Sequence, residues 1–180
     1  MAITAPILAT VGLRTPINYG RGGYCNTNFS LNMIFRLTHD CAPFFKLMPQ
    51  DWQAGIVPFW DDYKTSTNCY LLFDDNEIVA GGLVFSKCPP DMFYAEKEAA
   101  FYFNNQYLYV GFIYVIEERR QQNLGSIWLE NLKKTHPKQA FWLTIEELKL
   151  DAFYVKNGFK AVESLQNSGA TEVVYVYNPI

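Results

Sequence analysis

A mixed α/β (α+β) fold, with helices layered against one central sheet, is what the patterning of this sequence predicts. Three observations point there. The run YLYVGFIYVI at 107–116 is apolar throughout, as in a central strand covered on both faces. Segments of strand-like and helix-like period interleave along the chain. Hydrophobic residues make up 49% and charged residues 18% of 180 residues, enough to bury the core of a single domain spanning 1–180.

The first 28 residues read as an arm of uncertain structure, with Pro6, Pro16 and the stretch Gly20-Arg21-Gly22-Gly23. That glycine stretch lacks the preceding strand and following helix of a phosphate loop, so it reads as a turn. SLNMIFRLT at 30–38 is rich in β-formers and predicts a strand. From Cys41 to Tyr63 the period is helical but interrupted at Pro49 and Pro58, which predicts two short helices ended by those prolines. NCYLLF at 68–73 and IVAGGLVF at 78–85 flank Asp74-Asp75-Asn76-Glu77 as strands of a hairpin. Residues 96–100 are a helical turn or an inserted loop. In the central run, Gly111 permits a bulge or a close backbone approach. Leu124, Ile127, Trp128 and Leu132 follow at helical spacing, and QAFWLTI at 139–145 is a further strand. Thr144 and Glu147 have capping-box spacing, which predicts a helix from there to Asn157, closed by Gly158. Two last strands, 159–162 and 172–177, meet at the turn Gln166-Asn167-Ser168-Gly169.

Composition narrows the classes of partner. A net charge of −3 gives no basic face for nucleic acid, and none is expected as a partner. The four cysteines, Cys25, Cys41, Cys69 and Cys88, include no CxxC pair, so no metal is expected. No apolar run reaches the length of a membrane span, and the start Met-Ala-Ile-Thr-Ala-Pro has no basic region ahead of an apolar stretch. A cytoplasmic protein with free thiols and no membrane partner is expected.

Chemistry concentrates after the central strand. Glu117-Glu118 ends it, then come Arg119, Arg120, Gln121, Gln122, Asn123, Leu124, Gly125 and Ser126, where a helix begins. Such a turn aims unpaired N–H groups and the positive end of the helix dipole at one spot, a site for a diphosphate. Gly125 would let a ligand approach the backbone, and Arg120 adds a full charge. A plain strand–helix connection with a solvated arginine pair fits the segment equally well.

The segment resembles the coenzyme A signature of the GNAT acetyltransferases, R/Q-x-x-G-x-G/A. Arg120 takes the first position, Gly125 the last, and Asn123 stands where the family has its middle glycine. Asn tolerates left-handed backbone, so that departure is mild. Downstream, DAFYVKNGF at 151–159 is similar to the family's fY-x-k-x-GF ending. The resemblance implies a GNAT-like central mixed sheet, splayed near its middle, with acetyl-CoA as co-substrate and no metal. It implies that backbone amides of Tyr114, Val115 and Ile116 bind the pantetheine arm and thioester oxygen. The loop residues Arg120, Gln121, Gln122, Asn123, Leu124, Gly125 and Ser126 would hold the pyrophosphate. Tyr154 would protonate the leaving thiolate. The acceptor would be a primary amine, on a small molecule or a peptide, attacking directly in a ternary complex.

The general base is left open among Glu117, Glu118, Glu146 and a water chain. Trp52, Phe59, Trp60 and Tyr63 are core or a cation-accepting pocket. The C-terminal strand, if exposed, could pair with a second copy as a homodimer. Two other functions fit parts of the chain. One is a cysteine hydrolase built on His39-Asp40-Cys41, although adjacent residues rarely converge as a triad. The other is a coenzyme-A-binding GNAT-like module without turnover.

Overall fold

The computed structural model describes residues 33–179, so the arm at 1–28, including Cys25, lies outside the described residues. Strands β1 (Ile34–Thr38), β2 (Thr67–Asp74), β3 (Glu77–Phe85), β4 (Leu108–Val115), β5 (Phe141–Ile145), β6 (Lys160–Asn167) and β7 (Ala170–Tyr177) form one sheet. Its order is β1-β2-β3-β4-β5-β7-β6. Only β4 and β5 pair in parallel; the other neighbours are antiparallel. This is the mixed, helix-flanked sheet that the patterning predicts.

One face of the sheet is covered by α1 (Ala42–Phe45), α2 (Gln50–Ile56), α3 (Trp60–Tyr63), a 3-10 turn (Pro90–Ala95) and α4 (Glu96–Asn104). The other carries α5 (Leu124–Thr135) and α6 (Asp151–Lys156). Both layers press on β3 at Gly81 and Gly82. A side chain at Gly81 would run into Phe44 of α1, and one at Gly82 would lie 2.7 Å from the Trp128 ring of α5. Side-chain-free positions here allow both layers to close on the sheet.

Several expectations shift by local causes. Pro49 caps the start of α2 instead of ending a helix, and Pro58 sits in a 3-10 turn that leads into α3. Trp52 and Tyr63 are core, Trp60 packs edge-on to Phe45, and Phe59 is exposed. Residues 96–104 form a full helix. The capping box fails: Thr144 continues β5 and is buried, and the helix forms only at Asp151, after a 3-10 turn at Leu148–Leu150. Strand β7 is interior, between β5 and β6, so among the described residues β6 is the edge on that side.

Two features of β4 shape the site. Its pairing with β5 stops after Leu108↔Phe141 and Tyr109↔Trp142, so the strands part and leave a slot through the sheet. Opposite Gly82, β4 carries a bulge, and Phe112 takes φ +55 there. Left-handed backbone at a bulky residue is strained and is held by its surroundings. Here they are Trp52 of α2, 5.9 Å away edge-on, and Phe85 of β3. The sequence placed the irregularity at Gly111; the structure places it one residue on.

Candidate functional site

Between β4 and α5 the backbone cannot satisfy itself. After a 3-10 turn at Glu117–Arg119, Arg120 is extended, while Gln121 and Asn123 are left-handed, with φ +65 and +61. The next backbone amide with an acceptor belongs to Ile127, which donates to the Asn123 carbonyl at 3.0 Å. Among the described residues, none accepts from the six consecutive amides of 121–126. A left-handed residue followed by helix gathers successive N–H groups into a concave nest that suits an anion. The dipole of a twelve-residue helix adds to the same spot. Asn123 makes no side-chain cap; its Oδ1 instead accepts from Lys156 Nζ at 3.2 Å. Lys156 is thus a cation at the loop that the arginine pattern does not reveal.

The residues singled out in sequence divide by what they present. Gln121, Gln122 and Asn123 are exposed, and Gln122 Oε1 accepts from Arg119 Nε. Arg119 is tied to Asp74 on β2. The Leu124 side chain is core, so it can offer a ligand only its amide, and the buried Ser126 hydroxyl accepts from Asn157 Nδ2 at 3.0 Å. Gly125 has a packing reason to lack a side chain, beside the ligand approach expected of it. A Cβ there would lie 3.1 Å from the Phe153 ring, so its lack of side chain seats α6 against the loop. Arg120 folds back over the strand: its Nε donates to the Val115 carbonyl at 3.3 Å, and its guanidinium lies 3.4 Å from Glu117.

Along β4, the Ile116 amide is already bonded to the Val79 carbonyl of β3. Antiparallel alternation turns Tyr114 the same way and Val115 the other. Of the three expected amides, only that of Val115 faces the slot. Tyr154 is buried in the cluster that holds Ile113, Leu124 and Ile145, from the three elements bordering the slot. Burial, with a smaller contribution from Tyr175, raises its phenol above the usual range, so the proton is held more tightly than in a free tyrosine. No described residue is hydrogen-bonded to its hydroxyl. The candidate bases Glu117, Glu118 and Glu146 are all exposed.

On the opposite face, a polar group that no sequence motif marked collects where β4 and β5 part. The Tyr109 hydroxyl of β4 meets Thr144 Oγ1 of β5 at 3.3 Å. Thr144 and Tyr94 hydroxyls both reach Met92 Sδ, at 3.7 and 3.6 Å. Asp91 lies on the same 3-10 turn, and Glu172 of β7 is buried and accepts from Asn167 Nδ2 at 2.9 Å.

The cysteine-hydrolase reading has no geometry behind it. His39 and Asp40 are exposed, Asp40 Oδ1 accepts from the Ala42 amide, and the Cys41 thiol is buried against Cys69. His136 is engaged by the Tyr70 hydroxyl at 2.6 Å. Among the described residues, no cluster suits a metal ion, and no helix is long and apolar enough to cross a membrane.

Comparison with known proteins agrees with this architecture. A GNAT family acetyltransferase from Elizabethkingia anophelis, solved with acetyl-CoA bound, superposes with a TM-score of 0.55 at 16% identity, covering 82% of this chain and 98% of that one. A Bacillus subtilis acetyltransferase in complex with CoA gives 0.56 at 15% identity, covering 82% and 99%. The ribosomal-protein-S18-alanine N-acetyltransferase of Escherichia coli gives 0.58 at 13%, covering 81% and 93%. At these identities the likeness is one of fold. No curated protein matches the sequence. The family model described as Acetyltransferase (GNAT) family matches residues 31–159, from β1 through the turn after α6. The chain belongs to the acetyltransferase (GNAT) family.

Proposed function

We propose that the chain transfers an acetyl group from acetyl-CoA to a primary amine, with both substrates bound together at the slot between β4 and β5. The observation that carries this reading is the row of six unpartnered amides at 121–126, beside that slot. The residues fit the co-substrate: a diphosphate needs several fixed donors and positive potential, and the nest, the α5 dipole, Arg120 and Lys156 supply both. Acetyl-CoA contributes the activated acyl carbon.

The protein's own groups do the rest. The Val115 amide, fixed by the strand and facing the slot, is a preorganised donor to a developing oxyanion. Tyr154, protonated at neutral pH as any phenol is, gives a proton to the leaving thiolate. Holding two reactants side by side can itself lower the barrier by about 7 kcal/mol or more. The S18-alanine enzyme acts on a protein amine, and its shared fold supports N-acetylation of a peptide or small amine here.

Thiol release from acetyl-CoA over a panel of amines tests the reading, with calorimetric binding alongside. Arg120→Gln is expected to weaken acetyl-CoA binding about tenfold, the value of one partly screened charge. A wild type that does not bind acetyl-CoA sinks the proposal. A second reading, a coenzyme-A-binding module without turnover, draws on the absence of any carboxylate from β4. Tight binding without thiol release from any amine would select it.

A further inference from the structure

The polar group on the face opposite α5 has open positions that the fold does not fill. Asp91 Oδ1 and Asn167 Oδ1 are sealed from solvent with no hydrogen-bond partner among the described residues. Asn167 is 4% exposed and Glu172 5%, although part of Asp91 and of the Tyr94 ring reaches the surface. Buried polar atoms in folded proteins are nearly always partnered, so two orphaned acceptors beside a buried carboxylate call for a donor. The groups around Asp91 are Glu172 from β7, Tyr109 from β4, Tyr94 from its own turn, Cys88 from the preceding loop and Tyr63 from α3. None is cationic. The ligand that fits is compact, positive and rich in donors, and an alkylammonium offers a full charge and three N–H donors.

Position gives this chemistry a purpose. The Tyr109 and Thr144 hydroxyls meet where β4–β5 pairing ends, so the group lies at the inner end of the slot. The anion loop and Tyr154 border the slot from the other face. Phe93 and Tyr94, on the same turn as Asp91, are both exposed.

Resting on the acetyl-transfer reading, we propose that Asp91, Asn167 and Glu172 bind the acceptor's ammonium group and that Asp91 is the general base. The ammonium proton passes to Asp91 Oδ1. The freed lone pair forms the C–N bond as the C–S bond breaks, and the departing sulfur takes the Tyr154 proton. The amine nitrogen loses its second proton to solvent on forming the neutral amide; Asp91 then releases its proton to solvent and Tyr154 regains one from it, so each turnover frees one net proton. The amide no longer complements an acidic site, which favours its release. The carboxyl is suited to the exchange. Burial raises it to about 7, opposed by a hydrogen bond from its own backbone and reinforced by the Glu172 charge.

The test compares wild type, Asp91→Asn and Glu172→Gln, using acetyl-CoA with propylamine, putrescine, glycinamide and a tripeptide with a free N-terminus. Asp91→Asn is expected to bind acetyl-CoA within twofold of wild type and to lose about 100-fold or more in kcat/KM. It should also lose the acidic limb of the pH profile near 7. Glu172→Gln is expected to raise KM for the amine about tenfold with a smaller change in kcat. In wild type with CoA bound, carbon-13 NMR of aspartate carboxyls should show one group titrating near 7 and responding to propylamine. That spectrum keeps the proposal falsifiable even where a variant fails to fold. An unchanged rate and pH limb in Asp91→Asn, or a wild-type spectrum with no such carboxyl, overturns this inference and leaves the cofactor reading standing. Wild type that binds acetyl-CoA and acetylates none of the four amines also overturns it. Failure of wild type to bind acetyl-CoA removes the parent reading instead.

Discussion

Replacing Asp91 by Asn should make the protein more stable above neutral pH, and the size of the gain follows from its surroundings. Burial lifts this carboxyl from an ordinary 3.8 to about 7. Each tenfold change in proton affinity corresponds to about 1.4 kcal/mol. Holding the group ionised in the ligand-free fold therefore costs on the order of 2–4 kcal/mol, the lower figure allowing for the part of the residue that reaches solvent. The sign follows from proton binding. Between about pH 4 and 7 the folded chain holds this proton and the unfolded chain has released it, so stability from this group falls as pH rises through that window. Below pH 4 the contribution vanishes, and above 7 the penalty is complete. Asn has nearly the same shape and no charge. For a chain of this size, the variant should melt about 5–15 °C higher at pH 8, converging with wild type near pH 4. Differential scanning calorimetry at several pH values, without ligand, reads the difference directly, since other titrating groups cancel between the two proteins. An equal or lower melting temperature at pH 8, or a parallel pH dependence, would refute the idea of a carboxylate held without a partner. A gain in stability on removing the charge is also what a site strained for function predicts.

Tyr154→Phe should lower kcat on the order of 100-fold while acetyl-CoA affinity stays within twofold, because the ring still packs against Phe153 and Phe159 and only the proton donor is lost. Stopped-flow thiol release beside calorimetric binding separates the two quantities, and an unchanged kcat would remove Tyr154 from the chemistry. Gly125→Val should destabilise the fold by about 1–3 kcal/mol, since the Phe153 ring already stands 3.1 Å from where a Cβ would begin. Adding Phe153→Leu should restore most of that loss in thermal melts; no loss in the single variant would show that the α5–α6 contact is slack.

The layers were legible from period alone. The hairpin at Asp75–Asn76, the long central strand and the apolar stripe of α5 each repeat a local rule over enough residues to be unambiguous. The backbone of the loop between β4 and α5 was legible as well, down to the left-handed Asn123, because its signal is contiguous in the chain. What escaped is tertiary. Thr144 and Glu147 have the spacing of a capping box, yet Thr144 is drawn into β5 by its pairing with Val174, and its hydroxyl turns to Tyr109. The packing reason for Gly125 depends on Phe153, which arrives from another helix. The acid cluster draws Asp91 from a 3-10 turn and Glu172 and Asn167 from the last hairpin. Nothing local joins Asp91 to that hairpin, and the insertion of β7 between β5 and β6 brings Glu172 to the parting strands.

The most direct test of the diphosphate site is calorimetric titration of coenzyme A and of pantetheine, which lacks the diphosphate and the adenosine 3′-phosphate beyond it, into wild type and Gln121→Glu, whose added charge lies at the loop. Gln121 is exposed and makes no side-chain hydrogen bond among the described residues, so the new charge alters the loop's field and little else. Coenzyme A should bind at least 100-fold more tightly than pantetheine, and Gln121→Glu should weaken coenzyme A about tenfold while leaving pantetheine unchanged. Equal affinity for the two ligands, or indifference of coenzyme A to the added charge, would contradict a diphosphate held by the amides of 121–126.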